Sequence, residues 1–104
     1  MGSFSPNGKQ IAFMSSRAGY PSVFVMDADA GSEPVNLTPK PDAVPTMQWS
    51  SRAPDWSRNG KSIYFTGRRP ETGANEKIFV MNADGSDQTQ LTVAPGNSAE
   101  SAVR

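Results

Sequence analysis

Two of the side chains most used in catalysis are missing. The 104-residue chain contains no histidine and no cysteine. Without histidine it lacks the commonest general base near neutral pH and the commonest transition-metal ligand. A Ser-His-Asp triad cannot be assembled from this chain alone. Without cysteine there is no disulfide framework, and the redox compartment is left open. An excess of one charge is also missing: Lys+Arg and Asp+Glu are both 10, for a formal net charge of +0. The only adjacent basic pair is Arg68-Arg69, too little to hold nucleic acid by phosphate neutralisation. No apolar stretch approaches the roughly 20 residues needed to cross a bilayer. The opening MGSFSPNG has no apolar signal-peptide core. Nucleophile-elbow, dinucleotide and phosphate-loop motifs are absent as well. These absences predict no enzyme, no cofactor and no metal, and neither nucleic acid nor membrane as a partner.

Large apolar residues are also scarce. Leu, Ile, Val and Phe make up 17 of the 104 residues, below the roughly 20% associated with disorder. Disorder also requires high net charge, which this chain lacks. Its apolar residues are gathered in short runs, and a folded chain is therefore expected.

What the chain does contain is stated twice. Residues 4–13 read FSPNGKQIAF and residues 56–65 read WSRNGKSIYF. VFVMDADAGSEPVNLT from Val23 is echoed by IFVMNADGSDQTQLT from Ile78. Gly8 and Gly60 lie 52 positions apart, as do Ile11 and Ile63. A repeat of this length marks a unit that cannot bury its own faces and stacks on copies of itself.

Four runs, at residues 11–14, 23–26, 63–65 and 78–81, are aromatic or β-branched and bounded by Gly, Pro, Asn or Asp. That pattern predicts strands. Because the runs are continuous and not alternating, burial on both faces is expected. No segment sustains a 3.6-residue period, so essentially no helix is expected. PNG at residues 6–8 and RNG at 58–60 predict tight turns, with Asn and Gly supplying positive φ. Residues 29–32 and 84–86 form a second pair of turns. Each leads into a weaker edge strand, residues 34–38 and 89–92, where Pro and polar side chains blunt edge pairing. The first strand of the second unit is residues 52–56. In the first unit MGS reads as a cloning leader outside the fold, and little precedes Phe4. The missing strand is sought at the other end: SAVR placed before FS repeats the spacing of RAPD before WS. The expected division is a leader at 1–3, one unit at 4–46, a second at 47–97, and a closure strand at 98–104 that completes the first unit, as in ring-shaped repeat proteins.

The four segments FSPNGKQIAF, VFVMDADAGSEPVNLT, WSRNGKSIYF and IFVMNADGSDQTQLT resemble the TolB-like propeller repeat, whose form is close to WSPDGKxIxF, then I(Y/F)VM(D/N)xDGS, then LT. The departures are Asn7 and Asn59 for the turn Asp, Arg58 for Pro, Phe4 for Trp, and Arg104 entering an inner strand. The resemblance implies an all-β chain of two four-stranded antiparallel blades. It is compatible with a periplasmic parent, although the chain itself names no compartment. Two blades cannot close a ring, since natural propellers have typically 4–8. Three copies would supply six blades and four copies eight, and the resemblance to TolB favours six, a cyclic homotrimer. The other readings are a piece of the gating propeller of a serine peptidase whose hydrolase domain is absent, and a designed or excised propeller fragment without ligand.

The turns on one side of the blades are nearly identical between units, whereas the loops on the other side differ. Differing loops on a repeated scaffold are where specificity is usually carried, here for a protein or peptide ligand. The candidates are Arg17, Tyr20, Arg52, Arg68, Arg69 and Glu71, with Trp49 as an aromatic anchor. The bland reading is that these charges solvate loops, or that Arg68 or Arg69 pairs with Glu71 or Glu76 at little gain. DADAG from Asp27 resembles the start of a calcium loop, but its twelfth position is Thr38, not Glu. It is read as a turn. Phe4 and Trp56 are expected to pack between blades, and Met26 and Met81 in the core.

Overall fold

The computed structural model describes residues 2–29, 32–73 and 75–91. Eight strands form two four-stranded antiparallel sheets. The first sheet consists of β1 (Gly2–Phe4), β2 (Gln10–Ser15), β3 (Ser22–Asp27) and β4 (Val35–Asn36). The second consists of β5 (Ser50–Trp56), β6 (Ser62–Arg68), β7 (Lys77–Asn82) and β8 (Thr89–Gln90). Each strand pairs with its successor in the chain, so each sheet is a meander, the unit of a propeller blade. Among the described residues there is no α-helix. Single 3₁₀ turns at Thr46–Gln48 and Pro70–Thr72 lie in the connections before β5 and β7.

The predicted runs become β2, β3, β6 and β7, in matching register. Phe13 lies opposite Phe24, and Phe65 opposite Phe79. The turns between the first two strands of each blade are built identically. Gly8 and Gly60, both at φ +73°, close a bond to the carbonyls of Ser5 and Ser57. The two asparagines do not adopt the positive φ expected from the sequence. Their role is in the side chain: Oδ1 of Asn7 accepts from the Ser5 hydroxyl and the Lys9 amide, and Oδ1 of Asn59 does the same for Ser57 and Lys61. The carboxamide satisfies donors that a tight turn would otherwise strand.

Gly2 and Ser3, set outside the fold on sequence grounds, lie inside it. They pair with Phe13 and Ala12 as the first strand of blade 1. The free backbone groups of β2 need a partner, and ladder pairing is indifferent to how small the partner's side chains are. The closure strand expected at 98–104 lies outside the described residues.

The core lies between the two blades. Register puts Ala12 opposite Val25 on one face of blade 1, with Val23 beside them. On the facing side of blade 2, Ile63 opposes Met81 and Phe65 opposes Phe79. These side chains, with Leu37 and Trp56, form the buried cluster. Small aliphatics on one sheet make room for aromatics on the other, and each large side chain so buried contributes about 1.5–3 kcal/mol. Hydrogen bonds stitch the blades together, among them Trp56 Nε1 to Ser3 O at 2.9 Å, Ser51 N to Pro21 O at 2.9 Å, and Gln88 Nε2 to Leu37 O at 3.1 Å.

Burial on both faces holds for β3, where residues 22–25 are all buried. In β7 burial alternates: Phe79 and Met81 are buried, Ile78 and Val80 only half-buried. On β3 the face turned away from blade 2 is covered at Phe24 by the Arg17 side chain, whereas the outer face of β7 has no sheet against it among the described residues.

Candidate functional site

The candidate residues lie in separate settings, most of them in the loops that differ between the blades and Arg52 in strand β5. Arg69, expected in an exposed loop, is 3% exposed. It directly follows β6, before the 3₁₀ turn at Pro70–Thr72, and its side chain lies over the rings of its own blade. Its guanidinium lies 3.7 Å from the Trp49 ring centre, and 5.5 Å and 5.1 Å from those of Phe65 and Phe79. Nη1 donates to the carbonyls of Ser50 and Arg68. Nη2 donates to Ser51 Oγ and Gln88 Oε1. Gln88 in turn donates to Leu37 O, so this buried cation is joined to blade 1 through one amide side chain.

Burial pushes the Arg69 guanidinium down from its ordinary range to about 10, against a smaller upward pull from the Glu71 carboxylate. It therefore remains charged at neutral pH. Desolvation is offset by ring faces and carbonyl oxygens, not by an ion pair. Arg52 forms an ion pair with Glu76, at 3.2 Å across half-exposed side chains. This corrects the alternative that Arg68 or Arg69 would pair with Glu71 or Glu76: the guanidinium of Arg69 is drawn inward onto aromatics, and Glu76 is left to Arg52.

Trp49 is thus brought together with Arg69, as the upper slab of a cation sandwich. Its Nε1 donates to Thr38 O at 3.0 Å, which fixes the ring. Glu71 is exposed in the 3₁₀ turn that follows. Arg68 points to the other side. Its Nη1 reaches Met47 O at 3.4 Å, while its Nε is buried without a hydrogen-bond partner. Arg68, Pro70 and Gly73 line a cleft of about 530 Å³ with Pro45, Met47 and Gln48. Met47 stands at its lip, 83% exposed. With Pro45, Met47 and Pro70 in its lining, the cleft suits an extended apolar segment.

Arg17 and Tyr20 lie on blade 1, away from this cleft. The Tyr20 hydroxyl accepts the Lys40 amide at 2.8 Å and ties down the long connection between blades. Arg17 is exposed, its guanidinium 5.5 Å from the Phe13 ring centre and 5.2 Å from that of Phe24. Ser51 and Gln88, which complete the Arg69 cage, were not anticipated. A signal for the cage was available: Arg17 and Arg69 are separated by the same 52 positions as Gly8 and Gly60.

No family model matches the chain. It is 32% identical over 102 residues to the Tol-Pal system protein TolB of Helicobacter hepaticus, a match that covers 93% of this chain and 22% of that protein. Among solved structures, one described as TolB of Agrobacterium tumefaciens superposes with a TM-score of 0.67 at 26% identity, covering 88% of this chain and 29% of that one. TolB of Acinetobacter baumannii superposes at 0.70 over 88% of this chain and 20% of that one; at 24% identity it speaks for the fold alone. The chain thus spans about a fifth of the curated relative it matches. Repeat motif, blade topology and these likenesses agree that the two sheets are blades of the TolB-like β-propeller family.

Proposed function

We propose that this chain is a non-catalytic β-propeller scaffold for assembly and binding, a two-blade section that closes its ring with copies of itself. One observation carries the reading. The aromatic face of blade 2 is covered by blade 1, while the equivalent face of blade 1 has no sheet against it among the described residues. Phe4, at the repeat position of the buried Trp56, is 62% exposed. Such faces drive association. Three copies give six blades, the number the TolB likeness favours, and four give eight.

Residues 98–104 of one copy would complete the first blade of the next. The cleft beside Arg68 is where the assembled ring would take a peptide or protein segment. Light scattering tests the assembly: a mass three times the 11.1 kDa of one chain is expected. Deleting residues 98–104 should lower that mass. A single-chain mass at every concentration would refute the scaffold reading.

A further inference from the structure

We propose that the surface formed by Arg17 and the half-buried Phe13 on blade 1, seated over the buried ring of Phe24, docks the outer face of blade 2 from a second copy of this chain, and that Arg17 determines the match. This rests on the assembly reading and adds to it the two faces and their polarity.

The chain contains the finished form of the same surface. In blade 2, Phe65 and Phe79 stack with ring centres 5.5 Å apart, and Arg69 lies 5.5 Å and 5.1 Å above them. In blade 1, Phe13 and Phe24 stack at 5.9 Å, and Arg17 lies 5.5 Å and 5.2 Å above them. The two triplets share one construction and one place in the repeat. The blade 2 triplet is closed by the aliphatic face of blade 1, built on Ala12, Val23 and Val25. The repeat equivalents of those three residues are Tyr64, Ile78 and Val80, half-exposed on the outer face of blade 2. One chain therefore carries an aromatic–guanidinium face at one end and its aliphatic complement at the other.

Arg17 is the part still unfinished. Its Nε donates to Ser15 Oγ at 3.1 Å, and its two terminal nitrogens have no partner among the described residues. The same nitrogens of Arg69 serve four acceptors. A planar fork held above two rings, with donors in reserve, selects a partner that brings oxygen acceptors along with apolar area. Because the two faces differ, the contact is head-to-tail and not two-fold, and such contacts close into rings when the rotation permits.

The test uses the full chain and sedimentation velocity. Arg17→Glu should weaken self-association by about tenfold or more, with a circular-dichroism melt of the dissociated chain like that of wild type, because Arg17 is exposed. Tyr64→Glu, or Thr66→Arg should Tyr64→Glu not fold, should do the same from the other face. Mixing the Arg17 and Tyr64 variants should restore a dimer and no larger ring, since each retains one good face and only one productive contact is available. If wild type assembles and Arg17→Glu assembles equally well, this inference fails while the scaffold reading stands. If mixing restores nothing, the head-to-tail polarity fails. If wild type does not assemble, both readings fail together.

Discussion

Arg69→Ala is the substitution whose cost follows most directly from the geometry. It removes a cation stacked 3.7 Å from Trp49 in a water-poor site, worth about 2 kcal/mol. It strands the Ser50 carbonyl, the Ser51 hydroxyl and the Gln88 carboxamide oxygen, and opens a void over Phe65 and Phe79, together about 4 kcal/mol after partial rehydration. Against this, the desolvation that pulls the guanidinium down to about 10 is relieved, which offsets part of that loss. The net expectation is a loss of about 3 kcal/mol, a large share of the roughly 5–15 kcal/mol available to a domain of this size. Urea unfolding followed by tryptophan fluorescence reads it directly, at a protein concentration low enough that wild type and both variants are dissociated, so that assembly does not shift the midpoint. Arg17→Ala is the control: the same residue type at the same repeat position, but exposed, with an expected loss below about 1 kcal/mol. Between pH 6 and 8 Arg69 is charged in both folded and unfolded states, so the Arg69→Ala difference should not vary there. Above about pH 9 the folded state releases its proton first, so this residue's penalty shrinks as pH rises. Equal losses at the two positions, or a loss at Arg69 under about 0.5 kcal/mol, would refute the cage as a source of stability.

Other substitutions probe the joint and the strands. Gly85 sits at φ +91°, and a Cβ there would lie 2.9 Å from the Leu37 carbonyl oxygen of the neighbouring blade. Gly85→Ala should therefore cost about 2–3 kcal/mol, read as a lower urea midpoint, and loosen the blade-to-blade contact. Ala53 occupies φ +55° where the β5–β6 register shifts, a conformation that burdens any Cβ. Ala53→Gly should stabilise the fold by about 0.5–1 kcal/mol in the same assay, after allowing for the looser unfolded chain. The Asp84 carboxyl is held below its ordinary 3.8 by hydrogen bonds from the Ser86 side chain and backbone. Its contribution is present above pH 3.8 and lost as pH falls through the lowered value, so Asp84→Asn should flatten the acid limb of the stability profile. Carbon-detected NMR titration of Asp84 would check the direction.

The chain's repeat, its four strand runs and its turn glycines were legible without coordinates. They are local features, set by side-chain branching, by φ preference, and by spacing between positions that do the same work. Pro6, Gly8 and Gly60 mark reversals wherever the rest of the chain goes, and ten-residue echoes 52 positions apart cannot arise from a non-repeating fold. The candidate site was legible only as a set of loops. Seven residues were singled out; the tertiary structure joins Trp49 to Arg69, turns Arg68 into a cleft, gives Arg52 to Glu76, and sends Arg17 and Tyr20 elsewhere.

Whether an arginine solvates a loop or roofs a pair of rings depends on what the next sheet covers, and that is a long-range fact. Arg17 and Arg69 occupy equivalent positions in the repeat, yet one is exposed and the other is among the most buried polar residues described. Composition, periodicity and turn chemistry determined the blades and their number. Stacking in space decided which face is core and which is left open, because burial belongs to pairs of sheets and no single strand carries it.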